Sequence, residues 1–498
     1  MQELHTPVQA AQWLKSRACG ALWADSRKVR PGDGFVAWPG AAVDARGFAA
    51  TAIAQGAGAC LMERDGAEAF GLSGESYATY AGLKADTGLI AAEFYGQPSR
   101  ALDVVAVTGT NGKTSTAWWL AQALKNLPAE RSWPCGVIGT LGVGIPPDVL
   151  STGLTTPDPV LLQQTLRAFV DTGLKACAME ASSIGVEEHR LNGTEIRVAV
   201  FTNFTQDHLD YHGSMASYWD AKRRLFVWPG LQAAVINVDD AQGVQLAVDL
   251  GKSHLDVWTT SCSQAARLRA DNIQYATRGL RFDVVEGGQT IAFHSHLIGT
   301  YNVANMLGVI AAMCSLGVPL ADAVQACSGL MPVPGRMECV GNAGEPLVAV
   351  DYAHTPDALE QALVALRPLA QQREGALWCI FGCGGDRDAS KRPLMGAIAA
   401  KCADRVVVTS DNPRSEKPEA IIAQILLGLP QTDMVSVQAD RAQAIARTLA
   451  AVADQDVVLL AGKGHEATQE VAGSKLPFSD RAHADQALQA RHSGGVRP

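Results

Sequence analysis

No stretch of this chain of 498 residues reaches the roughly 18 uncharged apolar residues that crossing a bilayer requires, so no membrane span is expected. Basic charge is scarce as well. Lys and Arg number 41 against 50 Asp and Glu, a formal net charge of −9, which argues against a nucleic-acid-binding surface. A local anion site stays open, because it needs only a few placed groups. The segment Met1 to Arg17 lacks a continuous apolar run, so no signal peptide is expected and a cytoplasmic setting is. The 11 cysteines are scattered without a CxxC pair. Cys379 and Cys383 come closest, and Cys379 sits in an apolar strand-like run, so buried free thiols in a reducing compartment are expected. There is neither a repeat of solenoid period nor a low-complexity tract.

What is present is globular: 47% hydrophobic against 18% charged residues, enough apolar material for several cores. The length suggests about three domains. The first segment, residues 1–99, has short β-like runs at Gly34 to Trp38 and Ala59 to Met62, and Tyr95 to Ser99 reads as a linker. The second, residues 100–332, has strand candidates Ala176 to Met179, Val198 to Phe201 and Ala233 to Asn237, and closes at Met331 to Gly335. In the third, residues 333–498, strand candidates Leu347 to Val350, Leu377 to Phe381, Arg405 to Thr409, Met434 to Val437 and Val457 to Leu460 alternate with helical patterns at Thr355 to Leu366, Arg392 to Cys402, Pro418 to Leu427 and Arg441 to Val452. Such alternation with near-continuous apolar strands predicts an α/β fold, a parallel sheet covered on both faces. Ligands sit beyond the carboxyl ends of such strands. The polar clusters Asp351 to His354, Gly382 to Asp388, Ser410 to Arg414 and Gly462 to Glu466 all fall there.

The most informative stretch is Thr108-Gly109-Thr110-Asn111-Gly112-Lys113-Thr114. It follows the apolar run Val104 to Val107 and opens a helical pattern from Ser115 to Leu124. A strand, a glycine-rich turn and a helix N-terminus make a phosphate cradle: backbone N–H groups point inward, Lys113 supplies charge and Thr114 a hydroxyl for Mg²⁺. The loop predicts a nucleoside triphosphate. It differs from the common P-loop, which has four residues between its glycines; here Thr110 and Asn111 alone separate Gly109 from Gly112.

Glu180 ends one strand candidate of the second segment, and His208 and Asp210 follow another. A carboxylate and an imidazole on that edge could complete a Mg²⁺ shell begun by Thr114 and phosphate oxygens. For Glu180 a capping role, and for His208 a satisfied buried imidazole, remain open alternatives. Tyr218, Trp219, Leu225 and Phe226 lie three or four residues from Lys222, placing it on an apolar helix stripe. Such a lysine ordinarily snorkels; the alternative is a carbamate formed with CO₂, an anion able to bind Mg²⁺. Arg387 and Arg414 follow two neighbouring strands. Guanidinium groups fit carboxylates, and Asp411, Asn412 and Glu466 are acceptors suited to an ammonium, so the set suggests a zwitterionic amino acid, with surface salt bridges as the alternative.

Together these motifs resemble the Mur ligase family over nearly the whole chain, from Asp25-Ser26-Arg27 to Phe478-Ser479-Asp480. Beyond the phosphate loop the resemblance rests on Thr155-Thr156-Pro157, Met179 to Ser183, Asp207 to Gly213, Tyr301-Asn302 with Asn305, Val333 to Glu338, Asp351 to Asp357, Gly382 to Asp388, Asp411-Asn412-Pro413-Arg414 and Gly462 to Glu466. It implies three domains: an N-terminal one holding a UDP-linked substrate, a central P-loop-type ATPase with a mostly parallel sheet, and a C-terminal Rossmann-like domain for an incoming amino acid. It implies ATP contacts from Gly109 to Ser115 and from Asn302, Asn305, Arg336 and Asp351. Ser26, Thr155, Thr156, Ser182 and Arg190 would contact UDP-MurNAc-dipeptide. Lys113, Glu180, His208 and Lys222 would be catalytic; Thr114, Glu180, His208 and a carbamylated Lys222 would serve two Mg²⁺ ions. Members that add meso-diaminopimelate carry Asp-Asn-Pro-Arg where this chain has Asp411 to Arg414, so Arg387, Asp411, Asn412, Pro413, Arg414, Gly462 and Glu466 would form that amino acid's pocket. The implied activity is ATP-dependent ligation of meso-2,6-diaminopimelate to UDP-MurNAc-L-Ala-D-Glu through an acyl phosphate, in peptidoglycan precursor synthesis, by a monomer. Ile184 departs from the family's usual histidine and Glu188 from its usual glutamine, the latter placing negative charge near an anionic substrate. The competing readings are ligation of L-lysine, a folylpolyglutamate-type ligase, and a non-catalytic scaffold.

Overall fold

The computed structural model describes residues 1–40, 43–276, 279–342 and 344–493, so the last five residues of the third segment lie outside the described residues. Three principal sheets follow one another along the chain. The first has five parallel strands in the order Gln2–Leu4, Tyr77–Tyr80, Ala59–Glu63, Gly34–Ala37, Leu22–Trp23.

The second sheet has eleven strands. At its centre the phosphate-loop strand Asp103–Thr108 lies parallel between Ala176–Glu180 and Val198–Phe201. Alternate residues serve opposite faces, as the two-residue period of a strand requires. Val105, Val107, Ala178 and Val200 pack under the helices Lys113–Lys125 and Thr300–Ser315. Val104, Ala106, Met179 and Phe201 pack with Leu162 and Leu166 of the helix Pro159–Asp171. Both faces are therefore buried, which is why these strands read as unbroken apolar runs.

The edges of this sheet run antiparallel: Gly142–Ile145 and Asp148–Leu150 at one end, Gly279–Glu286 and Gln289–Ser295 at the other. The sequence reading missed them, because half-exposed edge strands lack the continuous apolar signature. The expected linker Tyr95 to Ser99 is no open tether either; Pro98 and Ser99 are buried and start a 3₁₀ turn, Pro98–Ala101.

The third sheet has six strands in the order Glu338–Val340, Leu347–Asp351, Val457–Ala461, Leu377–Phe381, Arg405–Val408, Val435–Val437, all parallel except the first. The helices Pro356–Gln372, Lys391–Cys402 and Pro418–Leu426 cover one face; Arg441–Ala451 and Asp480–Ser493 cover the other. Between these last two helices Arg441 and Asp480 form a bidentate ion pair, both side chains 0% exposed. A buried charge that loses its partner costs about 3–5 kcal/mol. Asp480→Ala should therefore lower the stability of this unit by that order, read as faster hydrogen exchange in the strand Val457–Ala461 and a lower urea midpoint.

The thiol expectation needs one correction. All 11 cysteines are free of disulfides, but Cys19 and Cys339 are exposed. No helix among the described residues is long and apolar enough to cross a membrane.

Candidate functional site

A cavity of about 590 Å³ opens at the carboxyl edge of the second sheet and is lined on its other side by residues of the third sheet unit, including Arg336, Asp351 and Tyr352. The phosphate loop forms its floor. Both loop glycines are required by geometry. Gly109 has φ 144° and a Cβ there would lie 1.9 Å from Thr202 Oγ1; Gly112 has φ 84° and a Cβ would lie 2.3 Å from Asn305 Oδ1. The two-residue spacing thus lets the loop nest against Thr202 on one side and Asn305 on the other. Asn305 Nδ2 donates to Asn302 Oδ1 at 3.2 Å, and Asn302 Nδ2 to the Ile298 carbonyl at 2.7 Å.

The helix begins at Lys113, earlier than the Ser115 expected, so the lysine lies at the helix N-terminus. Its Nζ donates to the Gly109 and Thr110 carbonyls at 2.9 and 2.8 Å. Burial lowers its pKa, against the raising influence of Glu180 and Asp207. Thr114 Oγ1 donates to Glu180 Oε2 at 3.0 Å. Glu180 is 1% exposed and also accepts from the Thr140 N–H at 2.7 Å and the Thr140 hydroxyl at 3.2 Å. Thr140, absent from the sequence expectations, completes this carboxylate's support. It is bonded in turn to Thr155, with the two hydroxyls 3.0 Å apart.

Thr156 and Ser182 share a hydrogen bond of 3.0 Å, and Arg190 Nη1 donates to the Thr156 carbonyl at 2.9 Å. Thr155, Thr156, Ser182 and Arg190 are thus brought together. Ser26 is not: it stands on the turn Ser26–Lys28 of the first sheet unit and bonds to none of them. Beside the Ile184 departure the double serine meets an imidazole from elsewhere in the chain. His212 Nε2 lies 3.0 Å from Ser183 Oγ.

Lys222 is 1% exposed. Its Nζ donates to the Gly109 carbonyl at 2.6 Å and lies 4.5 Å from the Tyr218 ring centroid. Burial, then the charge of Lys113, push its pKa well below the ordinary lysine value. The snorkelling alternative is excluded, because the amine points inward. Tyr218, four residues earlier on the same helix face, bonds to Thr110 at 3.2 Å and was a legible but unclaimed part of the site. His208 stands at φ 52° with Nε2 3.4 Å from Asp207 Oδ2. Burial lowers its imidazole pKa, with Asp207 opposing.

From the third sheet unit Arg336 reaches down: Nη2 donates to Thr114 Oγ1 at 3.3 Å while its guanidinium lies 4.4 Å from the Tyr352 ring centroid. Asn111 Nδ2 donates to Asp357 Oδ2 at 2.9 Å across the same gap. Asp351 accepts from the Met337 N–H at 2.6 Å, and burial raises its carboxyl to about 6 against the pull of Arg336.

Two family models match: the Mur ligase middle domain over residues 107–313, and the Mur ligase glutamate ligase domain over residues 335–464. The chain is 58% identical over 502 residues, all of both chains, to a UDP-N-acetylmuramoyl-L-alanyl-D-glutamate–2,6-diaminopimelate ligase of Acidovorax sp. (strain JS42). The chain belongs to the Mur ligase family. A Pseudomonas aeruginosa protein of the same name is 47% identical over 94% of this chain and 95% of its own length. A solved structure of a ligase of that name has a TM-score of 0.65 at 35% identity, covering 95% of each chain. The MurF ligase of Thermotoga maritima in complex with ADP has a TM-score of 0.63 at 19% identity, covering 95% of this chain and 96% of its own, which shows a shared fold.

In this Mur ligase the third sheet carries its own polar edge. Arg387 and Arg414 flank Gly384: a Cβ there would lie 2.9 Å from Arg414 Nη1 and 3.8 Å from Arg387 Cγ. Arg414 has φ 51°, donates from Nη1 to the Gly385 carbonyl at 2.7 Å and pairs with Glu470 at 3.6 Å. Arg387 is exposed. Gly462 has φ 115°, and a Cβ would lie 2.5 Å from Asp411 Oδ2, so glycine leaves room for that carboxylate. Pro413 is buried beside Gly385.

Asn412 and Glu466 need a correction as free acceptors for an ammonium. The fully buried Lys463 donates to Asn412 Oδ1 at 2.9 Å, Glu466 Oε2 at 2.8 Å and the Thr468 carbonyl at 2.8 Å, so a cation of the chain already engages the Asn412 carbonyl and one oxygen of the Glu466 carboxylate. His465 links this edge to the phosphate-loop side, with its Nδ1 3.5 Å from Arg336 Nη1.

Proposed function

We propose that this Mur ligase joins meso-2,6-diaminopimelate to the D-glutamyl γ-carboxylate of UDP-MurNAc-L-Ala-D-Glu, at the expense of ATP, in peptidoglycan precursor synthesis. One observation carries the reading: a chain of contacts runs from Thr114 of the phosphate loop through Arg336 to His465, the neighbour in sequence of Glu466 on the Arg414 edge. The names of the relatives at 58% and 47% identity support the same substrates.

The γ-carboxylate attacks the γ-phosphate of ATP, and the resulting acyl phosphate meets the amine of the amino acid. A tetrahedral intermediate then expels phosphate. Lys113, at the helix N-terminus, offsets charge on the transferring group. Asn302 and Asn305 brace the loop, and Arg336 and Asp351 hold the nucleotide from above. Thr155, Thr156, Ser182, Arg190 and, from the first sheet unit, Ser26 bind the UDP-linked dipeptide. Arg387, Asp411, Asn412, Pro413, Arg414, Gly462 and Glu466 form the amino-acid pocket, with Arg414 facing the distal carboxylate that lysine lacks.

The adjacent oxygens of Thr114 and Glu180 suit Mg²⁺, a hard cation that takes oxygen ligands, with His208 and a modified Lys222 as further members of the set. When bound, such ions neutralise phosphate charge. Lys222 as an ammonium is only a donor. Burial favours its free amine, which can bond to the carbon of CO₂ and release a proton to water, leaving a carbamate with acceptor oxygens.

Purified protein given ATP and the UDP-linked dipeptide should release ADP and phosphate only when meso-diaminopimelate is added. Equal turnover without the amino acid, or with L-lysine in its place, overturns the reading. A folylpolyglutamate-type activity would show as turnover with glutamate and a folate.

A further inference from the structure

Glu188 closes the short helix Ser183–Glu187, where it would set a negative charge near an anionic substrate. The structure engages both of its oxygens elsewhere. Oε2 pairs with Lys84 Nζ at 2.7 Å, and Oε1 accepts from the Tyr211 hydroxyl at 2.7 Å. The two partners belong to different parts of the molecule. Lys84 lies in the first turn of the helix Leu83–Phe94, which belongs to the first sheet unit. Tyr211 lies in the helical turn Leu209–His212 of the second, which follows directly on His208.

The anchor on the Lys84 side is rigid. Asn192 Nδ2 donates to the Ala85 carbonyl at 2.8 Å, and a Cβ on Gly88 would lie 2.0 Å from the Asn192 carbonyl oxygen, so this helix is pressed onto the loop just past Glu188. The Tyr211 side leads to the site. Its ring packs edge-on against His212 with centroids 4.8 Å apart, and His212 and His208 both pack on Tyr218, at 5.1 and 6.0 Å. Tyr218 is the ring beneath the Lys222 amine.

We propose that Glu188 is a positioning residue, a carboxylate clamp through which Lys84 of the first sheet unit fixes Tyr211 and with it the turn that carries His208. The glutamate at this position does not repel the substrate, because the lysine neutralises it. Docking of the unit assigned to the UDP end is thereby coupled to the geometry of the phosphoryl-transfer site. This inference rests on the ligase reading for its readout.

The test is a mutant cycle on Lys84→Met and Tyr211→Phe, residues that each bond to Glu188, with kcat measured at saturating substrates. Wild-type turnover dependent on meso-diaminopimelate is established first, and its absence strikes the ligase reading itself. Partly exposed ionic contacts are individually modest, so each single change should lower kcat roughly 3-fold. The double variant should show that same loss, not its roughly 9-fold product, because either change already releases the clamp. Lys84→Arg should retain wild-type kcat. In a Glu188→Ala background both changes should be silent. Losses that multiply in the double variant, or that persist in the Glu188→Ala background, overturn the clamp. So does a Lys84→Met effect confined to KM for the UDP-linked dipeptide. A Glu188→Gln variant that binds the dipeptide several-fold tighter with unchanged kcat would mean that the carboxylate faces the substrate instead.

Discussion

Lys222→Met should reduce kcat by about 10²–10³-fold, about 3–4 kcal/mol in the barrier, while leaving the thermal midpoint near that of the parent chain. Methionine matches the lysine stem in length and keeps the packing against Tyr218, so the substitution separates the amine from its apolar surroundings. The amine is the group of interest because it is buried, lies 2.6 Å from the Gly109 carbonyl and has its proton affinity depressed by desolvation and by Lys113. A lysine kept only for packing would tolerate the change. If the amine acts as its carbamate, intact-protein or peptide mass spectrometry of the parent chain should show the added mass of one CO₂ at Lys222. Activity should then fall in CO₂-depleted buffer and return with bicarbonate. Full activity of Lys222→Met would remove this residue from the proposed machinery.

Arg414→Ala should cut kcat/KM for meso-diaminopimelate by about 2–4 kcal/mol, about 30- to 700-fold, with KM for ATP unchanged. The size follows from leaving a substrate carboxylate desolvated without its guanidinium partner. Arg414→Lys should recover little, because an ammonium does not reproduce the planar fork. The local structure strengthens this expectation. Arg414 is held by the Gly385 carbonyl and by Glu470, and its backbone is fixed at φ 51° by an N–H bond to the Glu470 carbonyl. Its guanidinium is therefore placed before substrate arrives, and less conformational freedom is lost on binding. An equal loss for ATP and for the amino acid would point to a folding defect instead of a lost carboxylate contact.

Several features were open to inspection in the residues alone, each for a local reason. The runs Val198–Phe201, Ala233–Asn237 and Leu377–Phe381 are strands at the bounds read from the chain, because central parallel strands buried on both faces are written as unbroken apolar runs. The phosphate loop was legible because a strand, a two-glycine turn and a helix start are contiguous. Lys222 was legible as part of an apolar helix stripe because the 3.6-residue period puts it in line with Tyr218 and Phe226, whereas the inward direction of its amine came from the fold.

Contacts between distant segments were a matter for the folded chain. Thr140 supports Glu180 from 40 positions away, Arg336 reaches Thr114 across 222, and Lys463 takes up Asn412 across 51. No local period encodes such pairings; they arise where the carboxyl ends of parallel strands converge. The same holds for Glu188. In the chain it is an acid beside an anionic site, and in the fold it is neutralised by Lys84 and occupied by Tyr211. The order of residues was enough for the α/β architecture and for the strand–turn–helix loop at Gly109 to Lys113, because backbone periodicity and turn chemistry act over a few neighbours. Which charges are free to meet a substrate was settled by packing, because the energy of a buried charge depends on whatever partner the fold brings within hydrogen-bonding distance.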